Sequence, residues 1–381
     1  MKLVTDTNEL KDLCKELSKN EYITVDTEFL RERTYYPKLC LVQVASDDID
    51  FAIDPLSENM DLSPLFELFC DKSIVKVFHS ARQDIEIILN LSGKIPEPLF
   101  DTQVAAMVCG FGASVSYATL VIELAKAHTD KSSRFTDWSR RPLTDKQLQY
   151  ALSDVTHLRT IYRELKIQLE SSGRAKWLEE EMETLTNPKT YSTSPEDAWK
   201  KLKPRGTSRR FLGVLKELAA WREIKAMELD KPRGHIVKDQ SLLEIAAVCP
   251  KDTVQLTKIR SVGNLKKSHE MEIIEAIERG NKIAETDLPK LGKLKSSQKA
   301  DSSTIELLKV LLKAQCEKFH VAEKIVATTD DLKEIATGNE LPALLSKGWR
   351  YEVFGQYALA LKNGDSYLNI KDGKINVGST R

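Results

Sequence analysis

Hydrophobic and polar positions change period along the first 170 or so residues. Short apolar runs typical of strands occupy residues 22–26, 39–45 and 50–53, and their short connections suit an antiparallel meander. Another strand-like run at 74–78 is followed by apolar positions with helical spacing from Ile85 to Leu91. A meander followed by β-α-β units predicts an α/β domain with a mixed sheet flanked by helices.

The remaining pattern is mostly helical. We predict further helices at 64–70, 102–108, 117–127 and 144–169, and a short strand that ends at Phe100. From about residue 172 strand signals vanish, and helical spacing occurs at 210–225, at 239–248 and from 304 to about 361. The Gly-rich end of the chain has the composition of turns. One α/β domain and two smaller helical domains are therefore expected.

Polar stretches suggest where these domains meet. A Pro-bearing segment covers 187–195, and a Lys-rich segment from Leu288 to Ser303 has no acidic residue before Asp301. The predicted boundaries are an α/β domain at 1–171, a connector at 172–207, a helical domain at 208–287, a linker at 288–303 and a second helical domain at 304–381.

Composition adds only a few constraints. The 381 residues include 57 basic and 57 acidic side chains, so net charge alone predicts no polyanionic partner. The six cysteines are scattered without a C-x-x-C pair, which favours free thiols over a zinc site or disulfides. Neither a signal-peptide segment nor an apolar run long enough to span a membrane is evident. We expect a cytoplasmic protein without a membrane partner, and no protein partner is indicated.

Two acidic residues at the end of the first strand-like run carry the strongest chemical signal. Asp26 and Glu28 are two positions apart, so a strand would project both carboxylates from one face. Adjacent carboxylates resist joint ionisation unless a positive charge lies between them. A divalent metal ion would supply that charge, with Asp84 and Asp154 as further ligands that the helices bring to the same cleft.

A tyrosine accompanies the last of these acids. Tyr150 precedes Asp154 by four residues, which places the phenol and the carboxylate on one helix face. Two Mg²⁺ or Mn²⁺ ions held by four carboxylates would suit phosphodiester hydrolysis. Tyr150 would orient the attacking water rather than accept its proton, since the ordinary pKa of tyrosine is about 10.

A structural explanation competes with this hypothesis for each residue taken singly. Among 57 acids, a D-x-E or Y-x-x-x-D spacing arises easily by chance. Asp84 would then be a helix-start residue favoured by the helix dipole, and Asp154 one end of a surface ion pair. Asp101 suits a helix N-cap, and His79 and His157 have no metal-ligand spacing to each other. The ordered set of acids with Tyr150 favours the metal site.

Three motifs in this order resemble those of the DEDD 3′→5′ exonucleases in their tyrosine-bearing form. The first is Val25-Asp26-Thr27-Glu28-Phe29, the second runs from His79 to Asp84, and the third is Tyr150-Ala151-Leu152-Ser153-Asp154. The likeness is to the bacterial ribonuclease D family and covers nearly the whole chain. It implies a ribonuclease H-like exonuclease domain in which Asp26, Glu28, Asp84 and Asp154 bind metal and Tyr150 orients water.

The first helical domain has a resemblance of its own. The segments around Trp221, Asp230-Lys231-Pro232-Arg233 and Leu242-Leu243 resemble the HRDC domain, and the last domain is similar to a degenerate second copy. Basic residues before the first copy are candidate phosphate contacts: Lys200, Lys201, Lys203, Arg205, Arg209 and Arg210. An exposed linker with solvated charges explains these residues equally well.

The expected activity is metal-dependent 3′→5′ exoribonucleolytic trimming. The resemblance implies RNA partners with a free 3′-hydroxyl, such as tRNA precursors, and release of nucleoside 5′-monophosphates. Asp26 would bridge two ions and Glu28 would face the RNA 3′ end, with Phe29 and Leu30 as candidate wedges against the last base. A DNA 3′→5′ exonuclease and a binding scaffold with an inactive nuclease fold are the alternatives.

Overall fold

The structure is a computed structural model that describes residues 2–130, 132–191, 194–202, 204, 208–263, 265–290, 301–338 and 340–380. Contacts between Cα atoms group these residues into two units. The first unit contains the described residues of Met1–Glu28, Cys40–Asn187 and Lys295–Arg381, and the second contains those of Phe29–Leu39 and Pro188–Leu294. The last region of the chain therefore belongs to the same compact unit as the α/β domain.

A mixed six-stranded sheet lies at the centre of the α/β domain. Its strand order is β1-β4-β3-β2-β5-β6, and the strands are β1 (Leu3–Val4), β2 (Tyr22–Leu30), β3 (Lys38–Ala45), β4 (Asp50–Ile53), β5 (Val75–Phe78) and β6 (Leu99–Asp101). β3 and β4 pair antiparallel, whereas β1 with β4, β2 with β5 and β5 with β6 pair parallel. The mixed sheet predicted from the sequence is confirmed.

The parallel register determines where polar side chains meet. Thr24 of β2 pairs with Val77 of β5, and Phe78 of β5 pairs with Asp101 of β6. The carboxyl ends of β2, β5 and β6 therefore lie at one edge of the sheet. Residues that follow these strands meet at that edge, where ligands bind in open α/β sheets.

In the described residues up to 185, seven helices accompany the sheet in sequence. They are α1 (Thr7–Leu17), α2 (Ser63–Phe69), α3 (Arg82–Ser92), α4 (Thr102–Val108), α5 (Tyr117–Glu123), α6 (Asp145–Ser171) and α7 (Ala175–Leu185). α5 ends four residues before its predicted end, and α7 lies in the stretch predicted as a connector. β1 and α1 were not predicted, because β1 has two residues and α1 buries only Leu10, Cys14 and Leu17.

Five helices form most of the second unit, which has its own apolar core. They are α8 (Arg209–Glu228), α9 (Arg233–Ile236), α10 (Asp239–Val248), α11 (Thr253–Thr257) and α12 (Lys267–Lys282). Leu218 and Leu242 are fully buried there. Buried Arg222 donates to the Val237 carbonyl (2.8 Å) and to Asp239 (2.7 Å), which fixes the start of α10. Two 3₁₀ helices, Pro188–Thr190 and Pro195–Leu202, precede α8.

Five helices and a hairpin lie in the described residues of the last region. They are α13 (Ser302–Phe319), α14 (Glu323–Val326), α15 (Thr329–Thr337), α16 (Gly348–Arg350), α17 (Gln356–Lys362), β7 (Ser366–Lys371) and β8 (Lys374–Ser379). A 3₁₀ turn at Ala343–Leu345 and a π-helical turn at Tyr351–Gly355 connect them. The predicted linker lies largely outside the described residues, since 291–300 are not among them.

The hairpin corrects one expectation from the sequence. Strand signals were predicted to vanish after residue 172, yet β7 and β8 pair antiparallel. Lys371 pairs with Lys374, so Asp372-Gly373 forms a two-residue turn with positive φ at both positions (51° and 72°). Exposed strands of mixed polarity lack the apolar alternation that marks a half-buried strand, which explains why the pattern was missed.

Helix geometry repeats between the second unit and the last region. The short helices α9 and α14 begin 90 residues apart, at Arg233 and Glu323. The turns before them contain Asp230 and His320, also 90 residues apart, both with left-handed φ (45° and 47°). Each copy is thus a long helix, a left-handed turn, a four-residue helix and a further helix.

Contacts within the first unit attach the last region to α4 and α7. Arg174 donates to the carbonyl groups of Val108 (3.0 Å), His320 (2.8 Å) and Phe319. The rings of Trp177 and Trp349 stack with centroids 4.6 Å apart and planes 10° apart. The stacked indoles and the three hydrogen bonds from Arg174 to carbonyl groups hold the last region against α4 and α7.

Two further expectations can be compared with the structure. All six cysteines are free thiols, as predicted. Across the described part of the chain, no helix is both long enough and apolar enough to cross a membrane.

Candidate active site

β2 positions the first two acidic residues. The strand continues to Leu30, so Asp26 and Glu28 lie inside it and not at its end, and strand alternation puts both on one face. One carboxylate oxygen from each of Asp26, Glu28 and Asp154 lies within 4.8 Å of the others. Three of the four predicted metal ligands therefore meet at one point.

α6 carries the third of these acids and the predicted tyrosine. A capping box between Thr144 and Gln147 starts the helix. The Thr24 hydroxyl donates to the Val155 carbonyl at 2.8 Å, which fixes α6 against β2 next to Asp154. Tyr150 lies one turn earlier, and its hydroxyl donates a hydrogen bond to the Asp154 carboxylate.

α3 supplies the fourth acid from its first turn. Asp84 lies in the first turn of α3, as the structural explanation had it, but it is only 6% exposed and so is not a solvated surface group. The hydroxyl of Thr27, between Asp26 and Glu28 on β2, donates to the Asp84 carboxylate. Asp84 is close enough that its negative charge contributes to the raised pKa of Glu28. The predicted acids thus converge from β2, α3 and α6.

Burial makes ionisation of this cluster difficult. Burial, followed by the charge of Asp154, raises the pKa of Asp26 to about 8. Burial and three neighbouring carboxylates raise the pKa of Glu28 to about 10, and burial raises the pKa of Asp154 to about 7. The pKa of Asp84 is raised well above its usual value, again chiefly by burial. Such a cluster is stabilised when a cation binds to its ionised form.

Tyr150 remains protonated in this setting. Burial, and then the charge of Asp154, raises its pKa well above the ordinary value for tyrosine. The centroid of the Trp138 ring lies 6.0 Å from that of the Tyr150 ring. A neutral phenol can donate and accept hydrogen bonds but cannot act as a base at neutral pH.

A cavity of about 400 Å³ opens onto these residues. Asp26, Tyr150 and Asp154 line it together with Arg134, which is the only lysine or arginine among the described lining residues. The charge of Arg134 lowers the pKa of Glu28 and of Asp154, although burial outweighs this effect. Sequence reasoning missed Arg134, because it lies in a polar segment without helical or strand periodicity.

Asp101 and His79 hold the backbone and side chains next to the cavity, which His79 and Ser80 line. Asp101 caps α4 by accepting from Gln103 (2.8 Å), as the structural interpretation predicted, and it also accepts from the N–H groups of Ser80 (3.0 Å) and Ala81 (2.8 Å). His79 bonds Thr102 at 3.0 Å and contacts the Tyr117 ring edge-on. Asp101 thereby holds the turn that leads into α3.

His79 and His157 are structural residues here. Burial lowers the pKa of His79 to about 4, so it stays neutral, and burial also lowers the pKa of His157. The burial of both histidines agrees with the expectation that they are packed or locally bonded.

The residues predicted to contact RNA lie in different environments. Phe29 and Leu30 are half-buried at the end of β2. Arg209 donates to the Leu288 carbonyl (2.9 Å), and Arg210 donates to the Ile283 carbonyl (2.7 Å) and to Glu285 (2.8 Å). These bonds give both arginines a structural role at the end of α12 that the sequence did not suggest. Arg205 lies outside the described residues, as does Lys203.

The donor set fits a divalent cation. Hard cations prefer carboxylate oxygen ligands, and the cluster offers oxygens from Asp26, Glu28 and Asp154 at mutual distances a single ion can span. Asp84 adds a buried carboxylate, and the hydrogen bond that it accepts from the Thr27 hydroxyl orients it.

Two family models match the chain. The model of 3′-5′ exonucleases matches residues 1–170, and the HRDC domain model matches residues 211–277. Both agree with the predicted fold class of an exonuclease domain followed by helical regions. Divalent-metal dependence is consistent with this exonuclease family, and the acidic cluster fits it.

Full-length relatives extend the match to the whole chain. The chain is 48% identical to ribonuclease D of Granulibacter bethesdensis, over 98% of this chain and 95% of that protein. It is 47% identical to ribonuclease D of Bartonella henselae, over 99% of this chain and 93% of that protein.

A solved structure agrees with these matches. The crystal structure of Escherichia coli RNase D, an exoribonuclease involved in structured RNA processing, has a TM-score of 0.84 at 30% identity and covers 95% of this chain and 98% of that chain. The chain therefore belongs to the ribonuclease D family of 3′→5′ exonucleases.

Proposed function

We propose that this protein is a metal-dependent exoribonuclease that trims the 3′ ends of structured RNA, including tRNA precursors, in the cytoplasm. Its products would be nucleoside 5′-monophosphates, and its substrates would carry a free 3′-hydroxyl. The meeting of Asp26, Glu28 and Asp154 within 4.8 Å, beside the Tyr150 hydroxyl, is the observation that carries the proposal.

Four carboxylates would hold two divalent ions, either Mg²⁺ or Mn²⁺. Asp26 and Glu28 each interact electrostatically with the other three acids of the set. When bound, such ions supply an activated water and stabilise the departing oxygen in phosphodiester hydrolysis. Asp26 would contact both ions, and Glu28 would also face the terminal nucleotide.

Other residues would position the reactants. Tyr150, kept neutral by burial and by the charge of Asp154, would orient the attacking water through its hydroxyl. Arg134, which also lines the cavity, would balance part of the phosphate charge. Phe29 and Leu30 remain candidate contacts for the last base.

We also propose the domain boundaries given by the sequence: an exonuclease domain at 1–171, a connector at 172–207, an HRDC domain at 208–287, a linker at 288–303 and a degenerate second HRDC-like domain at 304–381. The repeat of the α8–α10 geometry in α13–α15, 90 residues later, supports the second copy.

A substrate series tests the proposed activity. With Mn²⁺ or Mg²⁺, the protein should shorten a 3′-extended tRNA stepwise and release mononucleotides, whereas a 3′-phosphorylated or circular form of the same RNA should resist. DNA of the same sequence, assayed in parallel, measures the selectivity for ribose. Asp154→Ala should abolish cleavage and weaken metal binding, and equal cleavage of the circular RNA would contradict exonuclease action.

A further inference from the structure

A groove of about 950 Å³ separates the exonuclease domain from the last region within the first unit. We call it the C-terminal groove. One wall is the segment from Gly110 to Ala113 after α4, and the other is formed by α13, α14 and the start of α15. Three lysines line the groove, Lys309, Lys313 and Lys324, along with two acids, Glu317 and Glu323.

The C-terminal groove leads to the catalytic cavity. Lys324 lines the groove, and its ammonium group donates to the Ser114 hydroxyl at 2.9 Å. Ser114 in turn lines the cavity that contains Asp26, Tyr150 and Asp154. A chain bound in the groove would therefore reach the acidic cluster past Ser114.

A second groove of about 700 Å³ continues the path over α13 towards the hairpin. Both grooves share Lys313, Glu317 and His320 as lining residues. Lys318 and Lys374 line only the second groove. The combined path thus carries five lysines against two glutamates, in a protein whose basic and acidic residues are equal in number.

The second groove adds groups suited to bases and sugars. The Lys318 ammonium group lies 6.0 Å from the Tyr357 ring, so a positive charge and an aromatic face occur side by side. Gln315 is 3% exposed, and its side-chain oxygen has no hydrogen-bond partner among the described residues. A basic groove that contains an aromatic side chain is typical of surfaces that bind single-stranded nucleic acid.

We propose that this basic path guides the single-stranded 3′ segment of an RNA substrate to the catalytic cavity. The lysines contact phosphates, Tyr357 stacks on a base, and the Gln315 oxygen accepts from a ribose hydroxyl or a base amino group. The inference rests on the proposed exonuclease function and adds the route by which the RNA reaches the site. An acidic polypeptide is the alternative occupant.

The test compares two double variants that change charge equally. Lys313→Glu with Lys318→Glu alters the path at two exposed positions, whereas Lys333→Glu with Lys347→Glu alters two exposed lysines of the same region that do not line either groove. Affinity for a 3′-labelled single-stranded RNA longer than about 16 nucleotides is measured by fluorescence anisotropy in EDTA. Hydrolysis of a dinucleotide, the shortest substrate with a phosphodiester bond, is measured with Mn²⁺.

The path variant should bind the long RNA at least about tenfold more weakly, and its salt dependence should fall by about 1.4 in log–log slope, for two lost contacts to single-stranded phosphates. The control variant should stay within about twofold of the parent, and both should keep the parent kcat/KM on the dinucleotide. Unchanged RNA affinity in the path variant overturns the proposal, as does an equal loss of kcat/KM on the dinucleotide.

Polyglutamate binding that depends on these lysines, without RNA binding, assigns the path to an acidic protein and also overturns the proposal. A parent protein that binds the long RNA through the path but, with Mn²⁺, hydrolyses neither that RNA nor the dinucleotide would instead refute the proposed exonuclease function.

Discussion

Four acidic side chains in the site owe their chemistry to burial rather than to their spacing alone. Asp26 and Glu28 follow buried residues on β2, and Asp84 is itself buried on α3. Water cannot stabilise their charges there, so each pKa is raised in the absence of a cation. The residues therefore form a site that is stable when neutral or when a cation occupies it.

Tyr150→Phe tests the role of the phenol separately from that of the acids. The substitution removes one hydroxyl and leaves all four carboxylates, so kcat should fall by about 100-fold because the water loses its orienting partner. Metal affinity, measured by calorimetric titration of Mn²⁺, should change little. Tyr162→Phe removes the same atom from the same helix α6 outside the cavity and should retain full activity. Equal kcat in the two variants would rule out the orienting role.

At the scale of elements, the site depends on how α6 and the turn before α3 are fixed to the sheet. The Thr24–Val155 hydrogen bond holds α6 against β2, and Asp101 accepts the backbone N–H groups of Ser80 and Ala81. The turn after α4 forms a wall of the C-terminal groove, and the residue that follows it, Ser114, lines the catalytic cavity. The conformation of this turn therefore affects the groove and the cavity.

Gly110→Ala tests this turn. Gly110 has φ of +86°, and a Cβ there would lie 2.6 Å from the His320 carbonyl oxygen, which is backbone and cannot move aside easily. Gly93→Ala is the matched control, since φ is +71° but no atom lies within 4 Å of its added Cβ. Strain from φ alone costs about 1–2 kcal/mol in either variant.

The clash should make Gly110→Ala less stable than Gly93→Ala by a further 1–3 kcal/mol or so, measured from urea unfolding midpoints. Equal destabilisation of the two variants would mean that the turn and α13 do not pack as closely as described.

At the scale of the whole molecule, the buried acids link folding stability to pH and to metal. A carboxyl whose pKa is raised on folding stabilises the protein below its unfolded pKa of about 4, and this contribution is lost as pH rises through the folded value. Asp154 and Asp26 have folded pKa values of about 7 and about 8, so the loss from these two extends to about pH 8, and the loss from Glu28, with a folded pKa of about 10, continues above it. Buried His79 acts in the opposite direction, but only between its folded pKa of about 4 and its ordinary value of 6.5.

The metal-free protein should therefore lose stability between pH 6.5 and 8, by at most about 1.4 kcal/mol per pH unit for each carboxyl that ionises. Thermal unfolding in EDTA across this range measures the loss. Asp154→Asn should show a shallower decline, and Mn²⁺ should raise Tm more at pH 8 than at pH 6.5. A decline of equal slope in Asp154→Asn would show that the acidic cluster is not its source.

The sequence alone determined the fold class, the strands at the centre of the sheet and the set of five residues proposed for catalysis. These depend on local periodicity and on ordered motifs, which remain visible along a chain: i,i+2 on β2 and i,i+4 on α6. Short or exposed elements were not predicted, because β1 has two residues and β7 and β8 lack an apolar face.

Tertiary structure decided what depends on contacts between distant residues. Arg134 meets the acids only through folding, and Arg209 and Arg210, two candidate phosphate contacts, donate to carbonyl groups about 70 to 80 residues away. The union of the last region with the exonuclease domain, and the basic path it forms, likewise arose from long-range packing. Periodicity records which face of an element is buried, but not which distant residue it meets.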